Sequence, residues 1–150
     1  MRLKQVVLTL IILVGVYTTA TAQKVETFTI DGNTYYGTKA IPDDIVGYYK
    51  YEKTKEPIVD IKKDGTGEFQ VHGVPSYPVE YWIQTDAKGV VQKRTGAVPK
   101  NYQVVLILKY GDNGQSGWKG EKKGQYDRIE VTMAFDQGYA IVLGERFRKI

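Results

Sequence analysis

The chain has 150 residues, 42% hydrophobic and 25% charged, with 16 Gly, 12 Tyr, one His, no Cys and a formal net charge of +4. That length builds one ordinary domain, with a core large enough to fold without covalent staples. The lack of cysteine excludes disulfides, thiolate metal sites, a Cys nucleophile and a lipid anchor on an N-terminal Cys. A single histidine offers little for a His-rich metal site or a Ser-His-Asp triad, so composition speaks to architecture and compartment more than to reaction chemistry.

Residues 1–22 read as a secretory signal peptide. Met1-Arg2-Leu3-Lys4 carries two positive charges, Val6 to Val16 is almost wholly apolar, and Ala20-Thr21-Ala22 offers small side chains for cleavage before Gln23. The apolar run falls short of the ~20 residues that span a bilayer. The expected mature chain is therefore a single all-β domain over residues 23–150, periplasmic or extracellular, with no membrane span. The short signal and the cysteine-free exported domain point to a bacterial source. Losing Arg2 and Lys4 takes the 21 basic residues to 19, against 17 acidic ones, a net charge of +2. These charges are interleaved rather than gathered in a stripe, which argues against nucleic acid as a partner.

The mature segment reads as strands throughout. Val25 to Ile30 alternates apolar and polar residues, Asp31-Gly32-Asn33 is turn chemistry, and Thr34 to Thr38 returns as a partner, giving an N-terminal hairpin. After Ile41-Pro42-Asp43-Asp44, with at most a single helical turn over Pro42–Val46, eight further strands are expected. They are Ile45–Glu52, Ile58–Lys63, Glu68–His72, Val79–Thr85, Val90–Arg94, Tyr102–Tyr110, Arg128–Phe135 and Tyr139–Arg148. Gly, Pro, Asp or Asn punctuates the intervals, the rhythm of an all-β meander. Tyr102, Val104, Leu106, Leu108 and Tyr110 share one face of their strand, Ile129, Val131, Met133 and Phe135 one face of theirs, and Tyr139, Ile141, Leu143 and Phe147 one face of the last. One dry face and one wet face fit antiparallel strands around a core. Eight hairpin-linked strands hide both edges by closing into an up-and-down barrel; a two-sheet β-sandwich is the alternative.

Gly47-Tyr48-Tyr49 resembles the Gly-x-Trp motif of the lipocalin-like (calycin) barrels, with Tyr49 at the Trp position. Arg146 and Arg148 resemble the arginine that covers that ring and closes the barrel bottom. Ile58 to Phe69 is similar to the second hairpin of small secreted bacterial barrels of this kind. The resemblance implies an eight-stranded barrel and, by analogy, a bound ligand.

Such a barrel either holds one small ligand or is filled by its own side chains. Tyr49, Tyr51, Tyr81 and Trp82 either line a cavity for a small apolar or amphipathic ligand or pack as core. Tyr81 and Trp82 are strand neighbours, so one of them points inward and the other out. The Gly111–Tyr126 stretch is a long insertion carrying five glycines, Lys119, Lys122, Lys123 and Trp118. Trp118 either packs back on the barrel mouth or anchors a protein or glycan partner, and the loop can also serve as a lid. His72, with Glu68 and Gln70, alternates with Phe69 and Val71 and reads as a solvated face. The Asp-rich turns do not fit a calcium loop, and no nucleotide, hydrolase or metalloprotease motif occurs.

The expectation is a binding protein holding a small ligand in its barrel, or else an interaction module acting through the 111–126 loop without a cavity. No catalytic residue, cofactor or metal is expected in either case. N-terminal mass analysis of the exported protein should find Gln23 as its first residue; retention of residues 1–22 would contradict the export reading.

Overall fold

In the computed structural model the described residues are 23–98, 100–114 and 122–150. The expected signal peptide over residues 1–22 lies outside them, as does Trp118. Eleven strands form one antiparallel sheet: β1 (Glu26–Ile30), β2 (Asn33–Thr38), β3 (Gly47–Tyr51), β4 (Ile58–Ile61), β5 (Thr66–Phe69), β6 (Tyr77–Thr85), β7 (Arg94–Thr95), β8 (Tyr102–Tyr110), β9 (Tyr126–Ala134), β10 (Tyr139–Val142) and β11 (Glu145–Lys149). Eight of them close into a ring in the order β3-β4-β5-β6-β8-β9-β10-β11, with β11 returning to β3. The fold is a closed antiparallel barrel, which removes the alternative of a sandwich. Among the described residues no helix is long and apolar enough to cross a membrane.

The ring contains eight strands, yet two of the expected strands are wrong in ways that offset each other. Val90–Arg94 is not a barrel strand. The Asp86 carboxylate accepts hydrogen bonds from the Lys88 and Val90 amides at 2.8 and 3.0 Å, committing the segment to a turn. β6 is already paired to β8 along Val79–Ile83 on one edge and to β2 along Ile83–Thr85 on the other, which leaves only its last two residues open on the first. Val90 is left 62% exposed, Val91 makes a single bridge to Thr85 with the Gln92 amide on the Gln84 carbonyl, and Arg94 and Thr95 pair with Gln103 and Tyr102 on the edge of β8. Tyr139–Arg148, expected as one strand, is a hairpin that folds at Leu143-Gly144. Both residues take positive φ, 50° and 78°, in a two-residue turn whose twist suits antiparallel strands. Its inward side chains are therefore Ala140, Val142 and Phe147; Tyr139 and Ile141 face outward.

The N-terminal hairpin forms as the sequence suggests and joins the C-terminal end of β6, with Thr38 opposite Ile83. It packs on the outside of the ring. Phe28 joins Trp82 and Ile107 in a second apolar cluster, with Ile30 and Tyr35 against it. Gly37 makes this approach feasible, because a Cβ there would lie 3.1 Å from Trp82 Cβ and 3.4 Å from Ile107 Cδ1. At the bottom of the ring Pro42 to Val46 makes a single turn, with Ile45 and Val46 amides bonded to the Pro42 carbonyl, and buries Ile45 completely.

Leu143 holds a left-handed conformation that costs an ordinary L-residue about 1–2 kcal/mol, and its side chain is 58% exposed. Leu143→Asn should therefore raise stability by about 1 kcal/mol, read as a shift of the urea midpoint. A loss of stability would argue against this turn.

Candidate functional site

The barrel interior holds one continuous cluster of buried side chains drawn from every strand of the ring. Tyr81, Ile83, Leu106 and Leu108 at its middle are 0% exposed, and Val59, Val104, Met133 and Ala140 are at 1%. A void large enough to admit water would leave accessible surface on the side chains that line it. The middle of this barrel is therefore occupied by its own residues.

The expected site residues take four different places. Tyr81 points inward. Its hydroxyl donates to the Glu68 carbonyl at 2.7 Å, and its ring fills space left by Gly67, whose Cβ would stand 3.0 Å from Tyr81 Cε2 and 1.8 Å from the Asp60 carbonyl oxygen. Tyr49 also points inward, at the bottom, and its hydroxyl donates to the Ile45 carbonyl at 2.5 Å. Tyr51 is half-buried at the opposite mouth, edge-on to His72 with ring centres 4.8 Å apart and 5.8 Å from Phe147. Trp82 faces away from the cavity it was a candidate to line. It is covered by Phe28 at 5.0 Å and by the Lys39 ammonium at 4.7 Å, and its Nε1 donates to the Glu26 carboxylate.

The cation that covers the Tyr49 ring is Lys149, not Arg146 or Arg148. Lys149 Nζ lies 5.8 Å from that ring and donates to the Asp44 carbonyl at 2.9 Å. Its stem passes over Gly47, where a Cβ would come within 2.5 Å of Lys149 Cε. Arg146 and Arg148 belong to the outward face of β11 and lie over Tyr139, at 4.7 and 5.7 Å. Arg148 also pairs with Glu52 at 3.0 Å. His72 meets neither Glu68 nor Gln70; its Nε2 lies 2.6 Å from Glu145 Oε2, a contact across the mouth from a residue 73 positions away. Among the described residues no group of three or more His, Asp or Glu side chains is placed to hold a metal ion.

The base of the 111–126 loop is tied down where it leaves and re-enters the barrel. The Gly111 amide donates to the Pro78 carbonyl and the Gly124 amide to the Tyr110 carbonyl, both at 2.7 Å. Lys123 pairs with Asp112 at 3.0 Å, and Lys122 lies over the Tyr110 ring. Open concavities of about 460, 720 and 410 Å³ lie among the described residues. The one of about 720 Å³, between the Glu52–Pro57 turn and the 70–76 loop, has Tyr48 as its exposed aromatic. Sequence reasoning passed over Tyr48 because its neighbour Tyr49 carried the motif, although strand alternation already sets the two on opposite faces.

No protein-family model, curated protein or solved structure matches this chain.

Buried tyrosines set the alkaline limit of the fold. Burial pushes the phenols of Tyr49, Tyr81, Tyr102 and Tyr110 well above their ordinary range; Asp44 beside Tyr49 and Tyr102, and Asp127 beside Tyr110, push the same way. In the unfolded chain these groups ionise near pH 10, so their contribution to stability is complete below that pH and is lost as pH rises beyond it. Stability should fall above about pH 10, with a late, cooperative fraction of the tyrosinate absorbance appearing only on unfolding. A non-cooperative titration of every tyrosine near pH 10 would contradict this packing. Tyr81→Ala should cost about 3–5 kcal/mol by opening a cavity that the ring cannot collapse to fill, measured by urea denaturation.

Proposed function

We propose that this is an exported binding protein of lipocalin-like type whose barrel is filled by its own side chains and which engages a protein or glycan partner through its outer surface and loops. The carrying observation is the burial at the barrel centre, where Tyr81, Ile83, Leu106 and Leu108 leave no accessible surface for a ligand to replace. A packed interior turns the ring into a rigid frame, and function then falls to what the frame displays. The 111–126 loop, fixed at its base and rich in glycine and lysine, is one such display, with Trp118 as the anchor.

The second reading, a small apolar or amphipathic ligand inside the barrel, draws on the eight-strand ring and on the mouth formed by Tyr51, His72 and Glu145. Such a ligand would have to displace core side chains, at the energetic cost of overpacking.

Native mass spectrometry of the mature protein, purified gently from its own organism, separates the two. A bare chain or a co-purifying partner chain is the expected result, and a stoichiometric small-mass adduct would overturn the filled-barrel reading. Trp118→Ala should abolish partner capture with unchanged stability, and undiminished capture would remove the loop from the interface.

A further inference from the structure

We propose that the outer face of β3–β5 carries a saccharide-binding groove with Tyr48 as its stacking platform. The inference rests on the surface-binding reading above and gives it a second place on the barrel and a ligand class. The concavity there is about 720 Å³, within the ~300–1,000 Å³ usual for small-molecule sites.

Strand register sets out one side of the groove, where Tyr48 and Glu68 belong to the lining and Asp60 lies between them in the row. Tyr48 stands opposite Asp60, and Asp60 opposite Glu68, so an aromatic ring and two carboxylates form one outward row across three strands. Tyr48 is 39% exposed while Tyr49 beside it is 2% exposed, so the Tyr48 ring is not consumed by the core. Single exposed aromatics are ordinary on protein surfaces. What distinguishes this one is the company it keeps.

Around the ring the groove offers a mixture of acceptors and donors rather than one kind of charge. Gln70 is nearly buried at 8% exposure and spends its Nε2 on the Val74 carbonyl at 3.2 Å; its Oε1 takes no other bond among the described residues. Ser76 Oγ lies 3.4 Å from Glu68 Oε2, a long bond that a ligand hydroxyl can replace on either partner. Lys55 and Glu56 from the Glu52–Pro57 turn join them in the lining, and Ile58, Val74 and Pro75 supply its apolar part.

This lining selects by chemistry. A pyranose presents an apolar C–H face suited to an aromatic ring and a rim of hydroxyls that both donate and accept, matching carboxylate, amide and hydroxyl groups set around Tyr48. A wholly apolar ligand would strip water from Glu56, Glu68 and Gln70 without replacing its hydrogen bonds. An anion would meet two carboxylates with Lys55 as its single cation in the lining, and an amine would meet that same Lys55. A neutral saccharide satisfies the whole set.

The test is an amide chemical-shift titration of the mature protein with cellotetraose, chitotetraose and maltotetraose, with trilysine peptide as a fourth probe. At least one sugar should give saturable shifts clustered at residues 48, 55–58 and 68–76. Tyr48→Ala should weaken that binding about tenfold or more, and Glu68→Gln by a smaller factor, with the remaining spectrum unchanged. The proposal is overturned by the absence of saturable shifts with all three sugars up to about 10 mM, by a dissociation constant indifferent to Tyr48→Ala, or by trilysine alone occupying the groove. If the sugars leave the groove untouched while Trp118-dependent capture persists, the groove is wrong and the surface-binding reading stands.

Discussion

The pairing of the first barrel strand with the last is the constraint on which everything else in this molecule rests. Every other contact of the ring joins strands adjacent in the meander. β3 and β11 must find each other from opposite ends of the domain, against the entropy of closing that long loop. Three register pairs hold them, Phe147 with Tyr51, Arg148 with Lys50 and Lys149 with Tyr49. The ladder is extended at both ends by the Glu52 amide on the Arg146 carbonyl and the Ile150 amide on the Tyr48 carbonyl. Side chains secure the same seam from outside and below, through Arg148 with Glu52 and Lys149 with the Asp44 carbonyl. Closure removes two exposed edges and fixes the ring's circumference, and the circumference fixes how much volume the inward side chains must fill.

They fill it with large rings placed where small residues make room. Tyr81 lies over Gly67, and Phe147 stands opposite Ala140. Such large–small complementarity brings a core to crystal-like density. The same device operates outside, where Gly37 lets the N-terminal hairpin settle on Trp82 and Ile107. The barrel wall is thus covered from within by its core and, over β6 and β8, from without by the hairpin. The hairpin leaves the outer face of β3–β5 uncovered, with Tyr48 exposed on it.

Much of this architecture was legible in the sequence, because period-two alternation reports directly on which face of a strand is dry. Tyr102 to Tyr110 and Ile129 to Met133 occur as read. The failures have physical causes. Leu143-Gly144 lacks the Asn-Gly or Asp-Gly signature of a two-residue turn, so ten residues rich in apolar side chains passed for one strand and the parity of Tyr139 and Ile141 was inverted. Val90 and Val91 have strand composition, but β8 already holds Val79–Ile83 of β6, so only a single bridge from Val91 to Thr85 forms there, and how much edge is open is a property of the whole sheet. At the candidate site, alternation separated Tyr81 from Trp82 correctly, whereas the hairpin that covers Trp82 and the partnership of His72 with Glu145 depend on contacts between distant segments. The substitution of Lys149 for the arginines over Tyr49 is of the same kind: the hairpin at Leu143-Gly144 sets which residues of β11 face inward.

Closed ring, filled centre and the proposed role for the exterior form a single chain of dependence, and its middle link is the most direct to examine. A crystal structure of the protein, purified without denaturation from the organism that makes it, would show what occupies the space between Tyr81, Ile83, Leu106 and Leu108. Continuous side-chain density with no residual peak inside the ring is the predicted result. A lobe of unassigned density there, with Tyr81 swung away from the Glu68 carbonyl, would contradict a self-filled barrel and return the function to its interior.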